Sequence, residues 1–239
     1  MQSVGRVFSR LGEKKNRAKA RVKFLIAKLG LEEFTRLVKE EREKLPHDDN
    51  WTAYIDELPA WGEEPKKKVT TLSNSAKPKG YDVWESKNVQ TQRQEGYRVV
   101  TIMLPLGDLS SHQMRKLADI SEKYVGNTIR TTVEQNFVLR WVNEGDLPQL
   151  YSELNDIGLA DPGAGSIVDI TACPGTDTCK LGIASSRGLA GKLRQMLSPE
   201  QMKLDEAVQN LRIKISGCFN SCAQHHIADL GFYGNSRTF

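Results

Sequence analysis

The sequence predicts an α+β protein, in which a helical segment precedes a sheet-containing half-domain and a final α/β domain. Three observations predict this class. Apolar residues recur at helical spacing over 14–45, a continuous apolar run at 97–104 is typical of a buried strand, and two short β runs lead directly into cysteine pairs. We therefore expect four regions, at 1–50, 51–95, 96–160 and 161–239.

Charge and hydropathy exclude several classes of protein. The 34 basic and 30 acidic residues are too evenly balanced to indicate a nucleic-acid partner. No apolar run approaches the ~20 residues that a membrane-spanning helix needs. We therefore expect neither a nucleic-acid nor a membrane partner. Because no secretory apolar segment follows Met1, we expect a reducing, cytoplasmic location.

Basic residues are concentrated at the start of the chain. Between Met1 and Lys28 there are nine Lys or Arg residues and one acid, Glu13. A transit peptide, a nucleic-acid arm or a solvated helix face would each explain this excess. Apolar positions at helical spacing, such as Val22 and Leu25, favour a structural segment.

The first two regions differ in pattern. Residues 14–45 read as two helices separated by Gly30, which can cap the first. Residues 51–95 are interrupted by prolines and by the basic run 66–68, as expected of an extended connector. Aromatic residues in this segment are expected to hold it against a neighbouring surface; they are Trp51, Trp61, Tyr81 and Trp84.

The third region follows a β-α-β-β-α order. After the strand at 97–104, Ser110 can cap a helix that ends near Gly126. Two short strands, 128–133 and 137–142, precede a helix that ends near Gly158. This order is most of a ferredoxin-like split unit.

In the last region both cysteine pairs begin at strand ends. A short β run at 167–170 precedes Cys173, and an alternating strand at 211–215 precedes Cys218. Helices are expected at 189–197 and from Pro199 to about residue 210. A strand fixes the direction of a ligand, and the following loop leaves backbone amides free to face an anionic group.

The four cysteines form a C-x5-C pair and a C-x3-C pair, separated by thirty-eight residues; they are Cys173, Cys179, Cys218 and Cys222. Four thiolates are the usual ligand set of a cubane iron-sulfur cluster. Structural zinc sites usually have two to four residues between paired ligands, so only the second pair fits zinc. Spacing alone favours a cluster and leaves zinc, two disulfides or plain buried cysteines open. Three nearby glycines let backbone approach a bulky group, namely Gly175, Gly182 and Gly217.

Two segments carry a resemblance to a known family. Residues 171–179, which read TACPGTDTC, and residues 216–232, which read SGCFNSCAQHHIADLGF, closely resemble the paired signature of siroheme-dependent nitrite and sulfite reductases. More loosely, 126–139 resembles the strand pair of that family's second ferredoxin-like half-domain, and 16–30 resembles the helix that closes its first half. The resemblance covers nearly the whole chain.

The resemblance implies two cofactors, a 4Fe-4S cluster held by the four cysteines and a siroheme whose iron takes the Cys222 thiolate as its axial ligand. It also implies an oxidoreductase that reduces sulfite to sulfide, or nitrite to ammonia, with six electrons. Gly163 and Gly165 lack the third glycine of a dinucleotide fingerprint. We therefore expect an external donor, a ferredoxin or a flavoprotein.

Siroheme has a rim of carboxylates, which calls for cationic and polar partners. The candidates, chosen for nearness to the motifs, are Arg130, Lys180, Arg187, Lys214 and Asn220. For each cation the alternative is a solvated side chain. His225 and His226 follow Cys222, and although histidine suits proton supply, packing is the alternative that we favour for them.

The sequence also departs from the family. The first of its two pseudo-repeated halves, which supplies most of the cations around the substrate anion, is absent, and the chain stops at Phe239 before the elements that close the domain. We therefore expect a C-terminal-half fragment that is inactive alone and needs the missing first half. The motifs slightly favour sulfite over nitrite as the small anion substrate. The alternative hypothesis is a zinc- or cluster-stabilised binding module without catalysis.

Overall fold

The computed structural model of the chain describes residues 1–58, 62–70 and 77–236, with the side chains of Tyr54 and Met202 excepted. The chain divides into two compact units, Met1–Gly62 and Glu63–Phe239. Within the described residues, no helix is both long enough and apolar enough to cross a membrane.

The first unit is helical, with α1 at Gln2–Leu11, α2 at Val22–Leu29, α3 at Leu31–Glu43 and α4 at Asn50–Asp56. Its core contains the buried side chains of Val7, Leu25 and Phe34. Gly30 separates α2 from α3 with φ +84°, a conformation that glycine adopts without strain. The expected break at Gly30 is therefore confirmed, and α1 is an additional helix.

Residues 14–21 are not helical, contrary to expectation. The carboxylate of Glu13 accepts the backbone N–H groups of Lys15 and Asn16, at 2.7 and 3.0 Å, and Asn16 Oδ1 accepts the N–H of Ala18. Such local side-chain bonds compete with the helical ladder. The helix therefore begins only at Val22.

Two of the N-terminal arginines have a structural partner. Arg6 and Arg10 place guanidinium nitrogens 3.5 and 3.0 Å from the carboxylate of Glu41, whose side chain is almost fully buried. The apolar face of α1 is buried at Val7. Part of the basic N-terminal segment therefore belongs to the packed helical unit, as the sequence predicts.

In the second unit, the predicted connector contains α5 at Tyr81–Asn88 and β1 at Val89–Thr91. Tyr81 and Trp84 are fully buried and pack with Tyr151 in the core of the half-domain, with ring centroids 5.2–5.8 Å apart. The expectation that aromatic residues anchor this segment is confirmed for this pair. Trp51 is 46% exposed, and Trp61 lies outside the described residues.

The half-domain contains β2 at Tyr97–Ile102, α6 at Ser111–Tyr124, β3 at Arg130–Thr131, β4 at Phe137–Asn143 and α7 at Leu147–Asp156. The four strands form an antiparallel sheet in the order β1-β2-β4-β3. Ser110 caps α6 in a capping box with Gln113. Thus the predicted β-α-β-β-α order is confirmed, with β3 shorter than expected.

The last part of the chain contains β5 at Thr171–Ala172, α8 at Ser186–Leu197, α9 at Glu206–Gln209, β6 at Ile213–Ser216 and β7 at Leu230–Tyr233. The strands form a parallel sheet in the order β5-β6-β7. Helix α8 packs on it through an apolar cluster that includes Ala190, Ile213 and Ile215.

Two predicted elements in this region are wrong in extent. Residues 167–170 contain a turn in place of a strand, in which the N–H of Asp169 donates to the carbonyl of Ser166, and the strand begins at Thr171. In place of the helix predicted from Pro199, the structure has a short 3-10 helix at Gln201–Lys203 and the single turn of α9. The cause of the break is Asp205, whose side chain accepts the N–H of Ala207 and starts a new helix there.

Candidate metal and cofactor site

The two cysteine loops leave the same edge of the parallel sheet. Strands β5 and β6 pair in parallel, with Ala172 opposite Ile215. Cys173 directly follows β5, and its N–H donates to the carbonyl of Ile215 at 3.1 Å, while Cys218 lies two residues beyond β6. The predicted placement of both pairs at strand ends is confirmed.

Glycines allow the two loops to touch through their backbones. A Cβ on Gly217 would lie 2.5 Å from the Cα of Gly175 and 2.8 Å from the carbonyl oxygen of Ala184. A Cβ on Gly182 would lie 2.6 Å from the carbonyl carbon of Gly175, which itself has φ +56°. No side chain fits at these contacts, so glycine is required for the loops to meet.

The sulfur of Cys173 accepts a backbone hydrogen bond that stabilises a thiolate. The N–H of Gly217, from the second cysteine loop, donates to Sγ at 3.0 Å. The Ser186 hydroxyl lies 3.5 Å from the same sulfur and donates to the carbonyl of Cys173 at 2.7 Å. Burial raises the pKa of Cys173, but the bonds from Ser186 and Gly217 outweigh burial, and the pKa is lowered overall. A thiolate is the form that ligates metals.

The other three cysteines differ in burial. Cys218 is buried and its sulfur lies 3.3 Å from Asn220 Nδ2, whereas Cys179 and Cys222 are exposed; all four are free thiols. Across the described part of the chain, no three His, Cys, Asp or Glu side chains are grouped to hold a single metal ion. Four thiols carried by two touching loops match in number the usual ligand set of a cubane cluster.

The segment after Cys222 folds back onto β6. Ser221 and Gln224 adopt positive φ of 60° and 61°. The Ser216 hydroxyl accepts the N–H of Ala223 at 3.3 Å and lies 2.9 Å from His225 Nδ1. Lys214 Nζ donates to Gln224 Oε1 at 3.1 Å. These contacts fix the loop that presents Cys222.

The two histidines are part of an aromatic stack. The ring of His225 lies 4.1 Å from that of His226 and 5.0 Å from that of Tyr233. Burial lowers the pKa of His225, and the neighbouring imidazole of His226 lowers it further. The stack lies at the protein surface, where His226 and Tyr233 are exposed.

The five siroheme candidates have different partners in the structure. Lys214 is buried against Gln224, as described above. Arg187 binds Asp108 and lies 3.1 Å from Asp177, in the first cysteine loop. Arg130 donates to Glu63 at 2.7 Å on the half-domain, Lys180 is exposed, and Asn220 is the candidate that contacts a cysteine sulfur.

Sequence reasoning missed one residue at this site. Gln135 lies in the turn between β3 and β4, and its side-chain amide makes two hydrogen bonds to Ala172, the residue before Cys173. In the sequence, residues 134–136 are only the segment between the two predicted strands. Its partner lies thirty-seven residues further along the chain, and no local pattern marks that pairing.

Comparisons with known proteins agree with this geometry. A model of the nitrite/sulfite reductase ferredoxin-like half domain matches residues 90–157, and a model of the nitrite and sulphite reductase 4Fe-4S domain matches residues 1–46 and 163–238. The chain is 28% identical, over 95% of its length, to a chloroplastic ferredoxin–nitrite reductase of Spinacia oleracea. It is 26% identical, over 98% of its length, to sulfite reductase [ferredoxin] 1 of Mycolicibacterium paratuberculosis.

Structural comparison gives the same result. The fold matches the NirA protein of Mycobacterium tuberculosis with a TM-score of 0.66 and 26% identity, over 99% of this chain and 39% of that one. The chain spans 34% and 38% of the two relatives above. These matches confirm the predicted α+β fold and the cofactors predicted for the family, a 4Fe-4S cluster and siroheme. The chain belongs to the nitrite and sulfite reductase family.

Proposed function

We propose that this chain is the cluster-bearing segment of a siroheme-dependent reductase that converts sulfite to sulfide or nitrite to ammonia. Cys173, Cys179, Cys218 and Cys222 hold the 4Fe-4S cluster, and Cys222 also ligates the siroheme iron. The observation that carries the proposal is the contact between the two cysteine loops, in which the N–H of Gly217 donates to the sulfur of Cys173.

The chain's own residues prepare the ligands. Gly217 and Ser186 favour the thiolate of Cys173, and Asn220 is placed to do the same for Cys218. The contacts of Ser216 with the segment after Cys222 hold the proposed bridging ligand in position. When bound, cluster and siroheme supply the electron transfer and the substrate-binding iron.

Five residues are proposed to contact siroheme, and they differ in availability. Lys180 is exposed, and Asn220 lies between the cysteines of the second pair. Arg130 and Arg187 pair with carboxylates and Lys214 with an amide. These three would have to exchange or share those partners to bind a siroheme carboxylate, and the Asn220 amide already donates to the Cys218 sulfur, so we rank the exposed Lys180 first.

Turnover is proposed to need more than this segment. The chain spans about a third to two fifths of the relatives that it matches. We propose that it works in the cytoplasm with the first half of a reductase, which supplies substrate-binding cations, and with ferredoxin as donor. The donor choice rests on relatives named as ferredoxin-dependent enzymes. Those relatives include nitrite and sulfite reductases, so both anions remain candidate substrates.

A visible absorption spectrum of anaerobically purified protein, recorded with two cysteine variants, tests the proposed ligand roles. The unsubstituted protein should show macrocycle bands together with cluster absorption. Cys222→Ser should lose siroheme coupling along with the cluster, whereas Cys179→Ser should damage mainly the cluster. A Cys222→Ser protein with an unchanged macrocycle spectrum and full iron content would show that the bridging assignment is wrong.

Activity assays test whether turnover needs the first half of the reductase. With siroheme, iron, sulfide and a strong artificial reductant, the 239-residue chain should show no appreciable sulfite or nitrite reduction. A separately expressed first half should restore some turnover. Measurable activity of the 239-residue chain alone, equal to that of the two-part mixture, would place the substrate site within these residues.

A further inference from the structure

The turn between β3 and β4 has an unusual backbone. Gln135 has φ +69°, a region that residues other than glycine rarely adopt. The turn is closed by two backbone bonds, from the N–H of Gln135 to the carbonyl of Thr132 and from the N–H of Thr132 to the carbonyl of Asn136. Such a conformation persists only where its surroundings stabilise it.

The side chain of Gln135 supplies that stabilisation by acting as a strand partner. Its Nε2 donates to the carbonyl of Ala172 at 2.9 Å, and its Oε1 accepts the N–H of Ala172 at 3.1 Å. An adjacent strand would make the same exchange of two bonds with one residue. Strand β5 pairs with β6 on one side, and the amide of Gln135 contacts Ala172 in place of a strand on the other.

Asn136, the next residue, strengthens the same junction. Its Nδ2 donates to both carboxylate oxygens of Asp169, at 3.0 and 2.8 Å, and its Oδ1 accepts the N–H of Leu104 at 2.9 Å. Asn136 is 2% exposed. The turn therefore connects the antiparallel sheet to the start of the cysteine region through side-chain hydrogen bonds.

The hydrogen bonds of Gln135 reach Ala172, which is one residue before the first cysteine. The peptide between Ala172 and Cys173 is held by Gln135 on one side and, through the Cys173 N–H, by Ile215 on the other. The position of that peptide determines where the Cys173 sulfur meets the N–H of Gly217. A change at Gln135 therefore reaches the sulfur through a single residue.

We propose that Gln135 is a positioning residue for Cys173, by which the ferredoxin-like half-domain tunes the reduction potential of the cluster. The inference rests on the proposed function, because it requires a cluster at the four cysteines. N–H donors to ligand sulfurs stabilise the reduced, more negative cluster and so raise its potential. Loss of the Gln135 amide bonds releases Ala172, weakens the Gly217 bond to sulfur, and lowers the potential.

The test is an EPR-monitored redox titration of the cluster in purified holoprotein carrying Gln135→Met, which removes both bonds without adding charge. Gln135→Asn is the second variant, because asparagine tolerates positive φ but its amide is one methylene too short to make both bonds. Both variants should shift the midpoint potential to more negative values. Thermal unfolding recorded in parallel separates this effect from a general loss of stability.

Gln113→Met is the matched control. Gln113 also uses its amide to accept a backbone N–H, from Ser110, and to donate to a backbone carbonyl, of Ile157, but it does so at the ends of α6 and α7. Its replacement should lower stability and leave the potential unchanged. If both glutamines had purely structural roles, Gln135→Met and Gln113→Met would lower the melting temperature equally and leave the midpoint potential of the cluster unchanged.

The outcomes separate the inference from the proposed function. Wild-type potentials in both Gln135 variants, or an equal shift in Gln113→Met, would overturn the positioning role alone. An unsubstituted protein that binds no cluster would overturn the proposed function, and the inference with it. A negative shift confined to the Gln135 variants supports both.

Discussion

Gly217→Ala should separate the two cysteine loops. The added Cβ would lie 2.5 Å from the Cα of Gly175 and 2.8 Å from the carbonyl oxygen of Ala184, which are backbone atoms and cannot rotate away. Overpacking of this kind typically costs about 1–3 kcal/mol of unfolding free energy. Relief of the clash also moves the Gly217 N–H away from the Cys173 sulfur. We expect both a loss of stability in that range and a loss of bound iron.

The assay is urea unfolding of the metal-free protein, followed by iron analysis after reconstitution. Gly191→Ala is the control, because it makes the same substitution inside α8, where the new Cβ would meet only Leu106 Cδ1 at an ordinary 3.7 Å. Glycine in a helix interior is less stable than alanine by roughly 0.5–1 kcal/mol. This control should therefore gain stability and bind iron normally.

The two variants should change the unfolding free energy in opposite directions, with a loss in Gly217→Ala and a gain in Gly191→Ala. If Gly217→Ala unfolds at the same urea concentration as the unsubstituted protein and binds as much iron, the loops do not need the close contact described here. A loss of stability with full iron binding would show that the contact stabilises the fold but is not needed to bind the cofactor.

Three further predictions concern the second unit. Trp84→Ala should lower its unfolding free energy by about 3–5 kcal/mol, because the fully buried indole packs against Tyr81 in the main core; a loss below 1 kcal/mol in urea unfolding would contradict that packing. Ser110→Ala should cost about 1 kcal/mol through loss of the capping box, and Ser111→Ala, one residue later, is the control that should cost less. Burial raises the pKa of Asp169, so the native state binds this proton more tightly than the unfolded state, and stability should fall as pH rises from about 3.9 through the native pKa. The difference in stability between the unsubstituted protein and Asp169→Asn, followed over that pH range, should show this fall, and a difference that rises with pH would refute it.

Elements with strong local signals were predictable from the sequence. The helix after Ser110 combines a cap with apolar residues at helical spacing, and β2 and β4 are apolar runs of adequate length. Helix α5 was not predictable in this way. Its Tyr81 and Trp84 gain their burial from Tyr151, seventy residues beyond Tyr81, so tertiary packing makes a core element of a segment that looks like a connector.

The same contrast applies to the candidate site. The cysteine pairs were predictable because ligand, strand and glycine lie within a few residues of one another, as around Gly217 and Cys218. Contacts between distant segments were not. The bond from the Lys214 ammonium to Gln224 and the bonds from the Gln135 amide to Ala172 join segments that no local pattern links. Hydrogen bonds of this kind depend on three-dimensional proximity, for which a single sequence has no periodic signal.

The most direct test of the central claim is the iron, zinc and acid-labile sulfide content of protein purified without oxygen. A 4Fe-4S cluster on the four cysteines predicts about four iron atoms and four sulfides per chain, and additional iron where siroheme is bound. Cys173→Ser should reduce the cluster content sharply. One zinc ion per chain without sulfide, or a Cys173→Ser protein with an undiminished iron and sulfide content, would contradict the account.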